Sequence, residues 1–288
     1  MRSLFDRLSL SAVWALLNSS LDFVYLDPIL ATNLAEQSDL LLGKSLITYV
    51  HPDEQASAKH DIGGVVERKT MHGSITRFVS LFLSPSQTTY FSLYHSIRFS
   101  RLSRVRRMLG YDGPLSDPHP GRMSLDSNYM VVDIVTNWAA EGLVLCFIHA
   151  TAEHDGEDLK KSEWTNWCGT PAMDMQQINR LYHALLMYIP QGNMSRVFQI
   201  LSNSQERALL LSWPPDPVHN QGGPSGRNFA KLVETVEFGA SPDLSDAKTT
   251  CARRYRSIRP LPFFAEAVES IFVPHGKQAL GFTAEYYI

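Results

Sequence analysis

The sequence predicts an α+β fold of two units, each an antiparallel sheet with helices packed against it. Its 288 residues suffice for two domains, and 44% hydrophobic with 19% charged residues is a globular composition. Strand-like segments and helical periods alternate in the first half, and a similar order recurs in the second. We predict a first domain over residues 19–153, a linker with a helix over 154–194, and a second domain over 195–288.

The first 18 residues are predicted to form an amphipathic N-terminal helix. A signal peptide is the alternative, but Asp6 interrupts the basic region and no small-x-small cleavage site follows. Such a helix must bury its apolar face, so we also expect self-association through it. The apolar residues that recur at the helical period are Leu4, Phe5, Leu8, Ala12, Ala15 and Leu16.

The first domain is predicted to open with a short strand and a helix. Residues 21–26 have the pattern of a strand, and Asp27-Pro28 ends it. Residues 31–42 follow a helical period, and Gly43 stands where a left-handed helix cap is wanted.

A second helix and three further strands are predicted to complete the first domain. The helix begins at His51, because Pro52 suits the first helical position and two acids follow it in the first turn. Residues 73–77 start a strand, and residues 128–136 and 142–150 are typical of a strand pair.

Residues 78–97 are an atypical insert in this domain. The segment holds no Asp, Glu, Lys or Arg, but a Ser-Pro-Ser-Gln-Thr-Thr centre excludes a membrane-spanning helix. Without it, residues 73–77 would continue directly into 98–100 as one strand. A retained intron is therefore an alternative to a genuine loop.

The second half predicts a hairpin, a helix and three strands. Residues 197–201 and 208–213 read as the hairpin, and residues 229–236 as the helix. Strands are predicted around residues 253–256 and 268–273 and in a final piece up to Ile288. This last piece, after His275-Gly276, is not a persuasive closing strand.

Two motifs in the first domain resemble the signature of PAS domains. Residues 41–46 read Leu-Leu-Gly-Lys-Ser-Leu, and residues 50–54 read Val-His-Pro-Asp-Glu. In PAS domains a Leu-x-Gly-x-Ser turn precedes a His-Pro-Asp-Asp/Glu helix start in this order. The chain is most similar to a fungal group distantly related to white-collar-type regulators.

The resemblance implies a five-stranded antiparallel PAS sheet with flanking helices. It also implies an apolar pocket between sheet and helices, and an exposed sheet face that docks partners. The second half repeats the layout but lacks both motifs, so we expect a tandem pair with a degenerate second copy.

No cofactor is predicted. Flavin photochemistry of the LOV branch of PAS proteins needs a reactive cysteine in an Asn-Cys-Arg-Phe motif, and residues 18–72 contain no cysteine. Haem would need an axial imidazole in the pocket, for which His60 is the one weak candidate. Its neighbours Lys59 and Asp61 are charged, which indicates a solvated face, so we expect no haem.

No metal site is predicted either. Cys146, His149 and His154 are ligand types that suit zinc. Cys146 and His149 are an odd number of residues apart on one predicted strand, so they point to opposite faces. One core thiol and one surface histidine fit this spacing better.

Two groups of arginines are candidate interaction or nuclear-import patches. Phosphate binding or an acidic partner is the functional interpretation, and a solvated strand face is the alternative. No zinc finger, basic zipper or helix-turn-helix is legible, so we expect no direct sequence-specific DNA binding. The groups are Arg98, Arg101, Arg104, Arg106 and Arg107, then Arg253, Arg254, Arg256 and Arg259.

These features predict a non-catalytic sensory and protein-interaction module in intracellular signalling or transcriptional regulation. Three cysteines are too few for a disulfide framework and favour a reducing compartment, nuclear or cytoplasmic. A small-molecule enzyme using the tryptophan-rich turn around Cys168 is the alternative. The sequence shows no nucleophile with a base and an orienting group that would support the enzyme alternative.

Overall fold

The structure is a computed structural model of the chain. It describes residues 12–34, 38–50, 52–71, 74–75, 96–100, 129–150, 167–168, 172–217, 223–236, 249–250, 254–262, 264 and 267–285. The predicted α+β fold with antiparallel sheets is confirmed. Among the described helices, none combines the length and the hydropathy that crossing a bilayer requires.

The helices and strands follow in chain order. The strands are β1 (Ala12–Asn18), β2 (Phe23–Leu26), β3 (Ser74–Ile75), β4 (Ser96–Ser100), β5 (Tyr129–Ala140), β6 (Leu143–Ala150), β7 (Trp167–Cys168), β8 (Arg196–Ser202), β9 (Leu209–Trp213), β10 (Thr249–Thr250), β11 (Tyr255–Pro260), β12 (Ala267–His275) and β13 (Gln278–Glu285). The helices are α1 (Pro28–Leu34), α2 (Ser38–Leu41), α3 (Gln55–Arg68), α4 (Met175–Tyr188) and α5 (Gly226–Ala230), with 3₁₀ turns at Leu46–Tyr49, Pro52–Glu54 and Lys231–Thr235.

The first sheet has the strand order β2-β1-β6-β5-β3, and β4 also pairs with β5. Helices α1 to α3 follow β2 in the chain and cover one face of this sheet. The apolar core on that face includes Val13, Ala15 and Ile134 from the strands and Ala58 and Ile62 from α3.

The helix predicted for residues 1–18 is wrong over Ala12–Asn18, which form β1. This strand lies between β2 and β6 and is buried on both faces. Ala15 belongs to the core under the helices, whereas Leu16 belongs to the core on the opposite face. A strand apolar on both faces shows no alternation, so its residues also satisfy a helical period. Residues 1–11 lie outside the described part.

The helix start predicted at His51-Pro52 is confirmed from Pro52 onward, and His51 lies outside the described residues. A 3₁₀ turn at Pro52–Glu54 leads into α3, and Ala58, Ile62 and Val65 form its buried face. The helix ends at Lys69, which adopts a left-handed conformation with φ of 51°. Gly43 is also left-handed, with φ of 73°, as a turn between helix and sheet requires.

The short strands β3 and β4 pair with neighbouring stretches of β5. Ser74 and Ile75 lie opposite Thr136 and Val135, and Ser96 lies opposite Asp133. The insert predicted over 78–97 is therefore too long at its end, because Ser96 and Ile97 belong to β4. Its remaining residues lie outside the described part.

The second sheet has the strand order β11-β12-β13-β8-β9. Helix α5 and the following 3₁₀ turn cover one face, where Phe229 and Val233 pack on Val197 and Phe272. The expectation that the chain lacks a closing strand after His275 is wrong.

Strand β13 is a central strand that pairs with both β12 and β8. The sequence signal for this strand is weak because Gly281 interrupts the run of apolar residues. The glycine is needed there, since a Cβ atom at this position would lie 2.9 Å from the Phe272 ring.

The two sheets share one core. Helix α4 lies within residues 154–194, which were predicted as a linker with a helix, and it buries Ile178, Leu181 and Leu185 between the sheets. Asp174 caps the helix by accepting a hydrogen bond from the Gln177 backbone N–H at 2.7 Å. The uncovered faces of both sheets pack into this same cluster.

Candidate functional site

The interior between the first sheet and its helices is the candidate ligand site. Thr136 and Cys146 lie opposite each other on β5 and β6, and both are fully buried. Trp138 lies two residues further along β5 and is 3% exposed. Its indole Nε1 has no hydrogen-bond acceptor among the described residues. A buried indole N–H without an acceptor among the described residues is the feature that makes this interior the candidate site for a bound molecule.

The Cys146 thiol is a structural group in this interior. Burial raises its pKa, so the thiol stays protonated at neutral pH. A thiol in this state is a poor nucleophile, and binding of zinc would require its deprotonation. The described residues contain no cluster of three or more His, Cys, Asp or Glu that could hold a metal ion. The side chain of His149 and all of His154 lie outside the described part.

The C-terminal end of α3 joins three parts of the protein. The Lys69 carbonyl accepts a hydrogen bond from Arg196 Nη1, at 2.8 Å, at the start of β8 in the second sheet. The Lys69 ammonium contacts Glu141 Oε1 at 2.8 Å and lies 5.7 Å from the Trp138 ring centroid. One residue later, the Thr70 carbonyl accepts from the Trp138 backbone N–H at 2.9 Å.

This junction therefore connects the wall of the candidate ligand site to the second sheet. A displacement of the end of α3 would change the hydrogen bond to Arg196 directly, and a displacement of Trp138 would reach it through Thr70 and Lys69. The Lys69–Glu141 ion pair is half-exposed, so it contributes little stability by itself. The carbonyl of Lys69 is the stronger partner, because a guanidinium at a helix C-terminus also meets the negative end of the helix dipole.

The sheet face that the PAS resemblance marks as a docking surface is not exposed. Trp14, Leu16 and Leu145 on this face are all fully buried in the shared core. The ring of Phe147 stacks on His275 of the second sheet, with centroids 5.9 Å apart. The expectation of a free sheet face is thus wrong, because the chain covers this face with its own second sheet and α4.

Asn137 is a buried polar residue that sequence reasoning missed. It is fully buried, and neither its amide nitrogen nor its amide oxygen has a hydrogen-bond partner in the described part. On β5 it alternates with Val135 and Ala139, which belong to the core shared by the two sheets. The signal was present in the sequence as an amide within an otherwise apolar strand.

The structure separates the other predicted site residues. His60 lies on α3 with an exposed side chain, so its imidazole does not line the candidate ligand site. Cys168 lies in β7, which pairs with β10, and its side chain is outside the described part. Of the arginines, Arg98 lies in β4, Arg254 directly precedes β11, and Arg256 and Arg259 lie within β11. The remainder, Arg101, Arg104, Arg106, Arg107 and Arg253, lie outside the described residues.

Comparison with known proteins does not assign the chain to a family. No family model matches the chain, and no curated protein sequence matches it. Among solved structures, it is similar to the chromophore-binding domain of phytochrome P1 from Stigmatella aurantiaca. The identity is 10% over 98% of this chain and 89% of that chain, with a TM-score of 0.32. A TM-score at this level carries no argument about fold or function.

Proposed function

We propose that the chain is a non-catalytic sensory and protein-interaction module built from two PAS-type units in tandem, the second degenerate. The observation that carries the proposal is the strand order. Numbered from its own first strand, the second sheet has the order 2-1-5-4-3. The first sheet has the same order when β3 and β4 are taken as two halves of one strand. In both units the helical segments lie between the second and third strands.

The sequence motifs add support within the first unit. The Leu-x-Gly-x-Ser turn lies at the end of α2, where Gly43 reverses the chain, and the Pro52 turn starts α3. These are the places where PAS domains carry the two motifs. Membership of the fungal white-collar-type group rests on this resemblance and is proposed with it.

Signal transmission in this proposal runs through the junction at Lys69. A small apolar molecule bound beside Trp138 would displace the wall of the site, and the change would reach Arg196 through the end of α3. The coupled element is the second sheet, so the output is a change in how the second unit presents its surface to partners.

Ligand binding in the first unit tests the sensory role. The purified protein is examined by absorption spectroscopy and by native mass spectrometry against denaturing mass spectrometry. We expect a small non-covalent adduct, or a rise in melting temperature with a small apolar ligand from a panel. Trp138→Phe should weaken this binding because the indole donor is lost. Trp213→Phe, a buried tryptophan of the second unit, is the matched control.

A protein with no adduct and no ligand-induced rise in melting temperature would refute the sensory role. A Soret band lost in His60→Ala would show instead that the protein binds haem. The alternative enzyme hypothesis predicts turnover of a small molecule that Cys168→Ser abolishes, and the present proposal predicts none.

We also propose a regulatory role inside the cell, nuclear or cytoplasmic, with protein partners and self-association. Support comes from the PAS resemblance and from the apolar residues among positions 1–11. Because Ala12–Asn18 form a central strand, a truncation that starts at Ser19 would remove β1 and unfold the sheet. Light scattering on the full chain and on a chain starting at Ala12 is the appropriate test. A monomer in both cases would refute self-association.

A further inference from the structure

Strand β11 ends the second sheet and carries a concentration of positive charge. Among the described residues it pairs with β12 on one side only. The side chain of Arg256 is 50% exposed, Ile258 is 39% exposed, and Arg259 is exposed. An edge strand of this kind presents backbone N–H and C=O groups that a further strand can pair with.

The charge around β11 is positive at its start as well. Arg254 directly precedes the strand. Arg207, in the turn between β8 and β9, is close enough to Tyr255 for the two to interact electrostatically. Lys277 is exposed in the adjoining turn, where its carbonyl accepts a hydrogen bond from the Asn203 backbone N–H at 2.8 Å.

Carboxylates offset part of this charge: Glu234 is exposed in the 3₁₀ turn that contacts β11, and Glu269 lies within the sheet. Glu269 on β12 is 5% exposed and forms an ion pair with Arg256. This ion pair holds the Arg256 stem against the sheet. Arg259, which is exposed, and Arg256, which is half-exposed, are the cations on the two faces of the strand edge.

We propose that β11 is a docking site for an extended acidic segment of a partner protein, which adds to the sheet as a sixth strand. Backbone pairing along residues 255–259 supplies the register, and Ile258 offers an apolar contact between the arginines. Acidic side chains on the incoming strand meet Arg256 and Arg259 on its two faces, because successive residues of a strand point to opposite sides. Pro260 has no N–H group, so pairing ends at Arg259.

This docking site goes beyond the sensory role and does not require a ligand in the first unit. Charge and backbone pairing make separable contributions, and the experiment separates them. The probe is a fluorescein-labelled peptide in which glutamate or aspartate alternates with valine over seven residues. Its extended length is about 23 Å, which is enough to pair along residues 255–259. Fluorescence anisotropy measures its binding to the full chain.

Three comparisons decide the proposal. The acidic peptide should bind about tenfold more tightly than its glutamine and asparagine counterpart, since charged groups strengthen such contacts. Methylating alternate backbone nitrogens of the acidic peptide should weaken binding about tenfold, since strand pairing is then blocked. Arg259→Glu should weaken binding about fivefold or more, whereas Lys59→Glu, on exposed α3, should leave it unchanged.

Four results would overturn the proposal. The first is no binding of the acidic peptide to the unaltered protein. The second is equal binding of the methylated peptide, because charge alone would then explain the affinity. The third is a single-stranded oligonucleotide of equal charge that binds as tightly and competes, which would make β11 a general polyanion surface. The fourth is equal weakening by Lys59→Glu, which would make the effect one of net charge. Circular dichroism on both variants confirms that each remains folded.

Discussion

Shortening the chain within the first sheet tests whether β3 and β4 are two halves of one edge strand. If β3 continued along β5, Arg77 would lie opposite Asp133, yet Ser96 lies there. The excursion therefore adds 19 residues, the difference between positions 77 and 96, without changing the register of the edge. Removing residues 78–96 joins Arg77 to Ile97 and keeps each later residue of β4 opposite its present partner.

The expected gain in stability follows from the cost of closing the loop. That cost grows as (3/2)RT ln n and is about 2.7 kcal/mol for about 20 residues. We expect the chain without residues 78–96 to be at least as stable as the full chain, and more stable by up to about this amount.

Removing one residue more, over 78–97, supplies a matched control. It shifts all of β4 by one position, which exchanges the two faces of the strand. In the full chain, Phe99 lies opposite Met130. Met130 is on the same face of β5 as Ile134, which packs against the helices. A slip of one residue mismatches every side chain of β4 with the face that its register selects, so this chain should be less stable than the chain without 78–96 by roughly 1 kcal/mol or more.

Urea denaturation followed by circular dichroism on the three chains measures these differences. Equal midpoints for the two shortened chains, or a higher midpoint for the chain without 78–97, would refute the register argument. Failure of the chain without 78–96 to fold would show that the excursion is needed for the sheet. Sequencing transcripts across the region separately tests the retained-intron hypothesis.

Three further substitutions test the core and the junction between the sheets. Asn137→Leu should raise the free energy of unfolding by about 1–3 kcal/mol in urea denaturation, because it removes a buried amide that has no hydrogen-bond partner among the described residues. A loss of stability would show that the amide has a partner elsewhere. Arg196→Ala should lower it by about 1 kcal/mol and speed amide exchange near Lys69, because the junction hydrogen bond is lost. Burial, with a smaller effect of Asp27, raises the pKa of Tyr25, so its contribution to stability is complete below the ordinary tyrosine pKa of about 10 and is lost as pH rises through the folded-state pKa. Melting temperatures across alkaline pH should therefore fall less in Tyr25→Phe than in the unaltered protein.

The local elements with strong turn chemistry could be predicted from the sequence. Pro52 and the acids after it predicted the start of α3, and Gly43 predicted a left-handed turn. The hairpin of β8 and β9 was predicted because turn residues separate two apolar runs. In these places short-range preferences and the final fold agree.

The missed features depend on contacts between distant parts of the chain. Strand β1 was predicted as a helix because both of its faces are buried. Its sequence therefore lacks the alternation of apolar and polar residues that marks a strand. Lys69 and Arg196 are 127 residues apart, and no local sequence pattern predicts the hydrogen bond between the Arg196 guanidinium and the Lys69 carbonyl. The candidate ligand site was predicted only as an implication of the PAS resemblance, and Trp138 as part of its wall was not.

The covered sheet face restricts where an external partner can bind. One of the four sheet edges is bridged to another segment among the described residues, since β2 is bridged to Leu42 and Ser45. The other edges are β9, β11 and the line of β3 and β4. Of the described arginines in the two groups, Arg98 lies on β4, and Arg254, Arg256 and Arg259 lie at β11. Because both sheet faces in this core are covered from within the chain, a partner strand that paired with either sheet would have to do so at an edge, and the described arginines lie at two such edges.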